Sequence, residues 1–412
     1  MGDGSRDKFN EYETARMTNK RHLTIALLLA LLVQSDWAQS LDARVLHGLK
    51  FASQQIKQTV LEIRDSTKFA RSTMSDGSWK TSDASEWTSG FFPGALWYVH
   101  EYSGDPFFKA AAERWTAGIA NQQFNAGTHD LGFMVFNSFG NGNRLYSSNS
   151  YKKVLLQSAH TLATRFNPTI GCIKSWDNPR WDFPVIIDNM MNLELLFWAA
   201  ENGGSRKLRE IALSHATMTM KNHFRPDGST YHVLGYDTTN GFVKVRNTHQ
   251  GYADESVWAR GQAWAIYGFT MTYRYTKDNR FLMTAQRAAD YFIGHVPSDG
   301  VPYWDFLAPK IPNEPRDASA AAIASSALFE LSRYAEGNPL KIKYLEAAKR
   351  ILGSLCAGPY LAEGTNSHAV LNHSVGSKPA QSEVDVSIIY ADYYFIEAML
   401  RYRSLTEKKS PG

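Results

Sequence analysis

The 412-residue sequence has only two cysteines, Cys172 and Cys356. That excludes a disulfide-built scaffold, and spacing alone does not say whether the two meet. It has no block of one charge: 44 Lys and Arg against 40 Asp and Glu leave a net charge of +4. A nucleic-acid partner needs a basic stripe, so none is expected. No HExxH and no Cys/His cluster with ligand spacing occurs, so no metal and no other cofactor is expected. Segments with strand-like alternation are almost absent. The one long apolar run, LTIALLLALLV, is too short to span a bilayer comfortably, so no stable membrane span is expected.

That run follows the basic stretch MTNKRH, which starts at Met17, and precedes QSDWAQS. Basic, apolar and small-residue parts in this order read as a secretory signal cut after Ala38 or Ser40, and a single uncleaved anchor is the alternative. No cysteine follows the run, so a lipoprotein anchor is not supported. The chain then divides into a leader (1–16), a signal (17–40), one folded domain (41–407) and a tail (408–412). The mature protein belongs in the periplasm or outside the cell, as a monomer or weak dimer.

What is present is ordinary globular composition, 43% hydrophobic and 20% charged, with a dense 13% of aromatics. Helical periodicity fits 41–66, 90–102, 106–125, 131–139, 150–166, 187–202, 206–224, 256–275, 280–295, 318–336, 341–356 and 387–405. These segments alternate in character. FKAAAERWTAGIANQQ, RKLREIALSHATMTMKNH and KIKYLEAAKRILGSL carry a charged face. FFPGALWYV, IIDNMMNLELLFWAA, VWARGQAWAIYGF, AAAIASSALFELSRY and VSIIYADYYFIEAML are apolar nearly all round, which requires burial on every side. An outer ring of amphipathic helices around an inner ring of buried ones explains the alternation. The expected fold is all-α, a six-hairpin (α/α)6 toroid in a single domain.

In such a toroid the N-terminal ends of the inner helices share one mouth. Those ends carry Glu86, Trp87, Thr88 and Ser89; His129 and Asp130; Asp188, Asn189 and Asn192; Trp258, Arg260, Gln262 and Trp264; Arg316 and Asp317; Asp385 and Asp392. Aromatic faces with carboxylates and amides suit sugar rings and their hydroxyls, and two carboxyls in unlike surroundings suit acid–base chemistry. An Asp at a helix start is commonly a cap, which fits Asp130 and Asp317. Asp188 opens an apolar helix, where burial favours its protonated form. His232 alone reads as a loop histidine, and Trp258 and Trp264 alone read as core. Arg260 between them needs an anionic partner or ligand.

The set SEWTSGFFPG, HDLGF, IIDNMMNLELLFWA, THQGYADESVWARGQAWAIYG, RDASAAAI and ADYYFIEAML, in this order over about 41–407, resembles the unsaturated glucuronyl hydrolases, glycoside hydrolase family 88. The resemblance implies an (α/α)6 barrel acting on unsaturated glycosaminoglycan di- or oligosaccharides of heparin/heparan, chondroitin or hyaluronan type, left by polysaccharide lyases. It implies hydration of the 4,5-unsaturated uronate, with Asp188 protonating C4 and assisting water at C5, and with Asp130 positioning the ring. It implies sugar contacts from Trp87, His129, His232, Gln250, Trp258, Arg260 and Trp264. LNHSVGSKPA resembles a sulfate-binding loop, implying a grip by Ser374, Ser377 and Lys378, with Arg246 as the accompanying arginine. Lys378 stands one residue closer to Ser377 than in that pattern. An unsaturated rhamnogalacturonyl hydrolase and a catalytically silent glycan-binding toroid are the rival readings.

Overall fold

The computed structural model describes residues 40–407. The leader, all of the signal except Ser40, and the tail lie outside the described residues. The chain divides into compact units at Arg44/Val45. Of the first unit only 40–44 is described; the second carries the whole of the barrel from Val45 onward. Among the described residues run twelve α-helices: α1 (Leu41–Ile63), α2 (Phe91–Ser103), α3 (Pro106–Gly118), α4 (Asn141–Tyr146), α5 (Asn149–Ala163), α6 (Asn189–Glu201), α7 (Arg206–Asn222), α8 (Ala259–Thr276), α9 (Asn279–His295), α10 (Ala318–Tyr334), α11 (Asn338–Leu355) and α12 (Ile389–Thr406). A nine-residue π-helix, Gly132–Gly140, runs directly into α4.

The inner ring is α2, the π-helix, α6, α8, α10 and α12, with α3, α5, α7, α9 and α11 packed outside it and α12 against α2 closing the ring. Burial follows composition. On α10 every residue from Ala318 to Ser332 is buried, and on α8 every residue from Ala259 to Thr272. The Ala- and Ser-rich α10 lets neighbouring helices approach closely. Outer α9 buries Phe281, Leu282, Ala285, Ala288, Ala289 and Phe292 at helical spacing and leaves Met283 on the surface. Each large apolar side chain so buried contributes roughly 1.5–3 kcal/mol before entropy is counted.

The two rings also start differently, except that outer α11 begins at Gly337 with no side-chain cap. Outer helices α3, α5, α7 and α9 are capped by Asp105, Ser148, Ser205 and Asp278, each accepting a backbone N–H of the first turn. Inner helices α2, α6, α8 and α12 begin at Gly90, Asp188, Trp258 and Ile388 with no side-chain cap bond. Only α10 among the inner α-helices has one, from Asp317.

Among the described residues nine short strands stand where sequence periodicity gave almost none: β1 (Lys68–Thr73), β2 (Trp79–Asp83), β3 (Phe166–Asn167), β4 (Cys172–Ile173), β5 (Phe183–Ile186), β6 (Val233–Tyr236), β7 (Val243–Asn247), β8 (Ser374–Ser377) and β9 (Ser382–Val386). None exceeds six residues, too short for a period of two to register. They make small antiparallel pieces, one of them the three-stranded β5-β6-β7. The segment 106–125 breaks after Gly118 into a 3-10 turn, Ala120–Phe124. Cys172 and Cys356 are both buried, and neither is in a disulfide. No helix of the described residues is long and apolar enough to cross a membrane.

Candidate active site

Strand register builds the centre. β5 pairs with β6 so that Ile186 faces Val233, and the Ile187 N–H donates to the His232 carbonyl at 3.1 Å. Asp188, two residues past β5, therefore meets His232, one residue before β6. The carboxylate of Asp188 lies with Oδ2 3.8 Å from His232 Nε2. Asp188 occupies the N-cap position of α6, yet its side chain caps nothing, and Oδ2 is buried without a hydrogen-bond partner. Burial pushes the carboxyl up to about 7; nearby Asp130 adds to this, Arg260 opposes it, and the Trp264 indole N–H favours the anion without forming a full hydrogen bond. His232 Nδ1 accepts the His249 and Gln250 backbone N–H groups, each at 3.2 Å. The proton is thereby assigned to Nε2. Burial holds the ring well below its ordinary pKa, so a neutral N–H points at the carboxyl.

Asp130 does not cap, contrary to the expectation for it. Its Oδ2 accepts from Thr128 Oγ1 at 3.0 Å and its Oδ1 from Asn192 Nδ2 at 3.4 Å, and no side chain caps the π-helix. Burial raises it to about 6 against those two hydrogen bonds. His129 Nε2 is 3.3 Å from Asp130 Oδ1, and burial keeps that ring neutral, with a pKa of about 3. Asn192, on α6, also accepts the Phe133 N–H at 2.8 Å, tying the π-helix to the helix of Asp188. Gly132 permits this approach: a Cβ there would stand 2.5 Å from the Asn192 Cα. π-Helical segments recur where a site needs a side chain re-aimed.

The anionic partner of Arg260 is Asp317. Nη1 donates to Asp317 Oδ2 at 3.1 Å and to the Val375 carbonyl, and Nη2 donates to the Gly376 carbonyl at 2.7 Å. Asp317 also caps α10 through the Ser319 and Ala320 N–H groups, so one carboxylate serves helix and arginine together. The guanidinium lies between the rings of Trp258 and Tyr390 (4.6 and 5.1 Å), and its Nε is buried with no partner. Gln250 Nε2 reaches the same Gly376 carbonyl at 3.0 Å. The β8–β9 hairpin is thus clasped to the mouth.

Trp258 is buried and its ring lies 4.4 Å from that of His232; Trp264 is buried between Phe133 and Tyr394. Trp87 is half-buried on Phe91, Phe133 and Tyr390. Other mouth residues turn to structural work. Gln262 bonds Gly228 and Ala288, Arg316 pairs with Asp299, Asp385 with His373, and buried Asp392 accepts the Val370 and Leu371 N–H groups. Ser374 and Ser377 have hydroxyls with no partner, whereas Lys378 Nζ is held by Glu314 Oε2 at 2.9 Å. Arg246 is exposed on β7 over the Tyr231 ring. Sequence reasoning missed half-buried Trp176, whose ring lies 6.3 Å from His232, 6.5 Å from His129 and 5.2 Å from His249. Two tryptophans flanking the turn-forming DNPR were its only signal. Among the described residues no group of three or more His, Cys, Asp or Glu could hold a metal ion.

No family model matches the chain. It is 50% identical over 329 residues, 78% of this chain and 81% of the relative, to an unsaturated glucuronyl hydrolase of Formosa agariphila. It superposes on the crystal structure of an unsaturated glucuronyl hydrolase specific for heparin with a TM-score of 0.86 and 43% identity, covering 89% of this chain and 98% of that one. It also superposes on a mutant Streptococcus agalactiae unsaturated glucuronyl hydrolase in complex with dGlcA-GalNAc6S, with a TM-score of 0.76 and 30% identity over 88% of this chain and 92% of that one. The chain belongs to the unsaturated glucuronyl hydrolases, glycoside hydrolases built on an (α/α)6 barrel.

Proposed function

We propose that this chain removes the non-reducing-end 4,5-unsaturated glucuronate from glycosaminoglycan oligosaccharides by hydrating its vinyl ether, with Asp188 as the single acid–base group. The observation that carries the assignment is the Asp188 carboxyl, buried, uncapped and unpartnered at Oδ2, and balanced near neutral pH. A carboxyl in that state gives its proton to C4 and, once ionised, takes one from the water that attacks C5. Water is thereby added across the double bond and Asp188 is regenerated. The hemiketal formed at C5 opens and releases the rest of the glycan. Asp130 is the neighbour whose charge adds to the burial that raises Asp188. Neutral His232 supplies an N–H donor beside the reacting carboxyl. Arg260 supplies positive potential, Gln250 holds the hairpin in place, and Trp87, Trp258, Trp264 and His129 shape the pocket around the ring.

Turnover of glycosaminoglycan lyase products, followed as loss of the ultraviolet absorbance of the conjugated uronate, is the test. Turnover of unsaturated pectin fragments alone would move the assignment to rhamnogalacturonyl substrates, and binding without turnover would leave a silent toroid. Activity should survive EDTA, and a loss restored by Ca²⁺ or Zn²⁺ would overturn the metal-free reading of the carboxyls.

Sulfated substrates are accepted in this proposal at the β8–β9 hairpin. The buried, partnerless hydroxyls of Ser374 and Ser377 in the hairpin that carries Lys378 support it, as do the heparin-specific and dGlcA-GalNAc6S-bound relatives. Arg246 takes part only if the glycan extends to β7. A secreted mature protein starting near Leu41 is likewise our proposal, and N-terminal sequencing of the mature protein tests it.

A further inference from the structure

Lys378 is the one cation of the hairpin that the sulfate reading uses, and a buried carboxylate already holds it. Glu314 lies on the loop before α10, with its side chain 3% exposed against 29% for Lys378. Its Oε2 accepts Lys378 Nζ and Trp304 Nε1, both at 2.9 Å, and its Oε1 accepts the Lys310 N–H at 3.2 Å. Trp304 packs with Ala308 and Val375, so this loop and the β8 strand share a small apolar core. Glu314 is therefore fixed from three sides, and the lysine is the member that approaches it from the solvent side. Two residues before Lys378 stands Gly376, whose carbonyl is gripped by Arg260 and Gln250, so the ion pair lies within a few residues of the catalytic mouth.

We infer that Glu314 is a specificity-determining residue that neutralises Lys378 and thereby limits the preference of the site for sulfated over unsulfated substrates. Drawing the lysine away would leave a carboxylate buried with no cation, the arrangement that buried ion pairs resist most strongly. A sulfate must therefore bind with the pair intact. It meets the lysine's remaining N–H donors, while the Glu314 carboxylate, 2.9 Å from that same Nζ, repels it. The pair has no net charge, so the discrimination between sulfated and unsulfated rings rests on hydrogen-bond geometry more than on Coulomb attraction.

This inference rests on the sulfate reading, and its test separates the two. Glu314→Gln keeps the shape and the acceptor for Trp304 or Lys310 and removes the negative charge. The ratio of kcat/KM for a sulfated over an unsulfated unsaturated disaccharide should rise about tenfold, through KM of the sulfated one. Lys378→Gln is measured beside it. If Lys378→Gln lowers the ratio and Glu314→Gln leaves it unchanged, the lysine grips sulfate and the inference about Glu314 is wrong. If neither moves the ratio, the sulfate reading itself fails and takes the inference with it. A measurement on the wild-type enzyme guards against a misfolded variant: with a neutral pair, the ratio should hardly change from low to high salt. A steep fall in that ratio with salt would show an unneutralised lysine and overturn the inference.

Discussion

The two ends of the inner ring are built from the same residue types and put them to opposite use. At the distal end, where the inner helices finish, half-buried Glu194 and buried Glu397 line a cavity of about 540 Å³ among tyrosines, and buried Glu330 is linked to them through arginines. There Arg274 and Arg401 bridge the carboxylates: Arg274 to Glu194 at 2.8 Å and Glu330 at 3.3 Å, Arg401 to Glu330 at 3.1 Å and Glu397 at 3.3 Å. Burial alone would push Glu330 up, but the two guanidinium groups draw it below the usual carboxylate value. At the mouth, Asp188 and Asp130 are equally buried, and the arginine nearby is committed to Asp317 and two carbonyls. Their carboxyls rise towards neutral pH. Burial thus raises a carboxyl most where no guanidinium pairs with it directly. Glu194 marks the boundary, since burial outweighs Arg274 there and its pKa is raised.

The sharpest way to break this contrast is at its centre. Asp188→Asn should cut turnover by at least about a hundredfold while leaving the fold intact, because an amide of the same shape cannot carry the proton. Turnover above a tenth of wild type would remove Asp188 from the central role. Arg401→Met should do the reverse. It leaves Glu397 with no cation and Glu330 with Arg274 alone, and should cost about 3–5 kcal/mol of stability, read as a lowered Tm, with turnover below the transition nearly unchanged. Loss of activity without loss of stability would mean that the distal end serves the reaction.

The pH dependence sharpens the same point. Asp188 must start protonated, so kcat/KM should fall up to tenfold per unit as pH rises above about 7. Stability follows the same group. Its folded value of about 7 lies above the ordinary 3.8, so the folded state binds the extra proton and loses stability as pH rises through that window. Asp188→Asn should therefore raise the Tm above pH about 7 and change it little near 3.8; an unchanged Tm across the window would contradict the raised carboxyl. The smallest expected effect is at the rim. Trp176→Ala should raise KM by up to about tenfold with kcat nearly kept, the size of a lost aromatic contact. A fall in kcat instead would show that the ring orients His232.

Much of the fold was legible because each helix carries its burial in its own residues. The all-round apolar α10 and the one-faced α9 can be told apart from composition alone. The carboxyl at Asp188 was legible for the same reason, as a polar residue opening an apolar segment. Roles among the acids were less so. Asp130 and Asp317 look alike in sequence, yet one is held by Thr128 and Asn192 while the other caps α10 and pairs with Arg260. His232 read as a loop histidine because the strands that fix it are four residues long.

The sequence by itself determined the ring of helices, which of them lie inside, and that acidic and aromatic residues gather at their N-terminal ends. These follow from periodicity, a property of neighbours along the chain. Only the tertiary structure decided which carboxyl is left without a partner, which histidine faces it, and that Lys378 is answered by Glu314. Those outcomes depend on contacts between distant segments: Asn192 with Asp130 across 62 residues, Lys378 with Glu314 across 64, and Arg260 with Gly376 across 116. A buried group's charge is set by what ring closure and strand register bring beside it, and no local pattern encodes that.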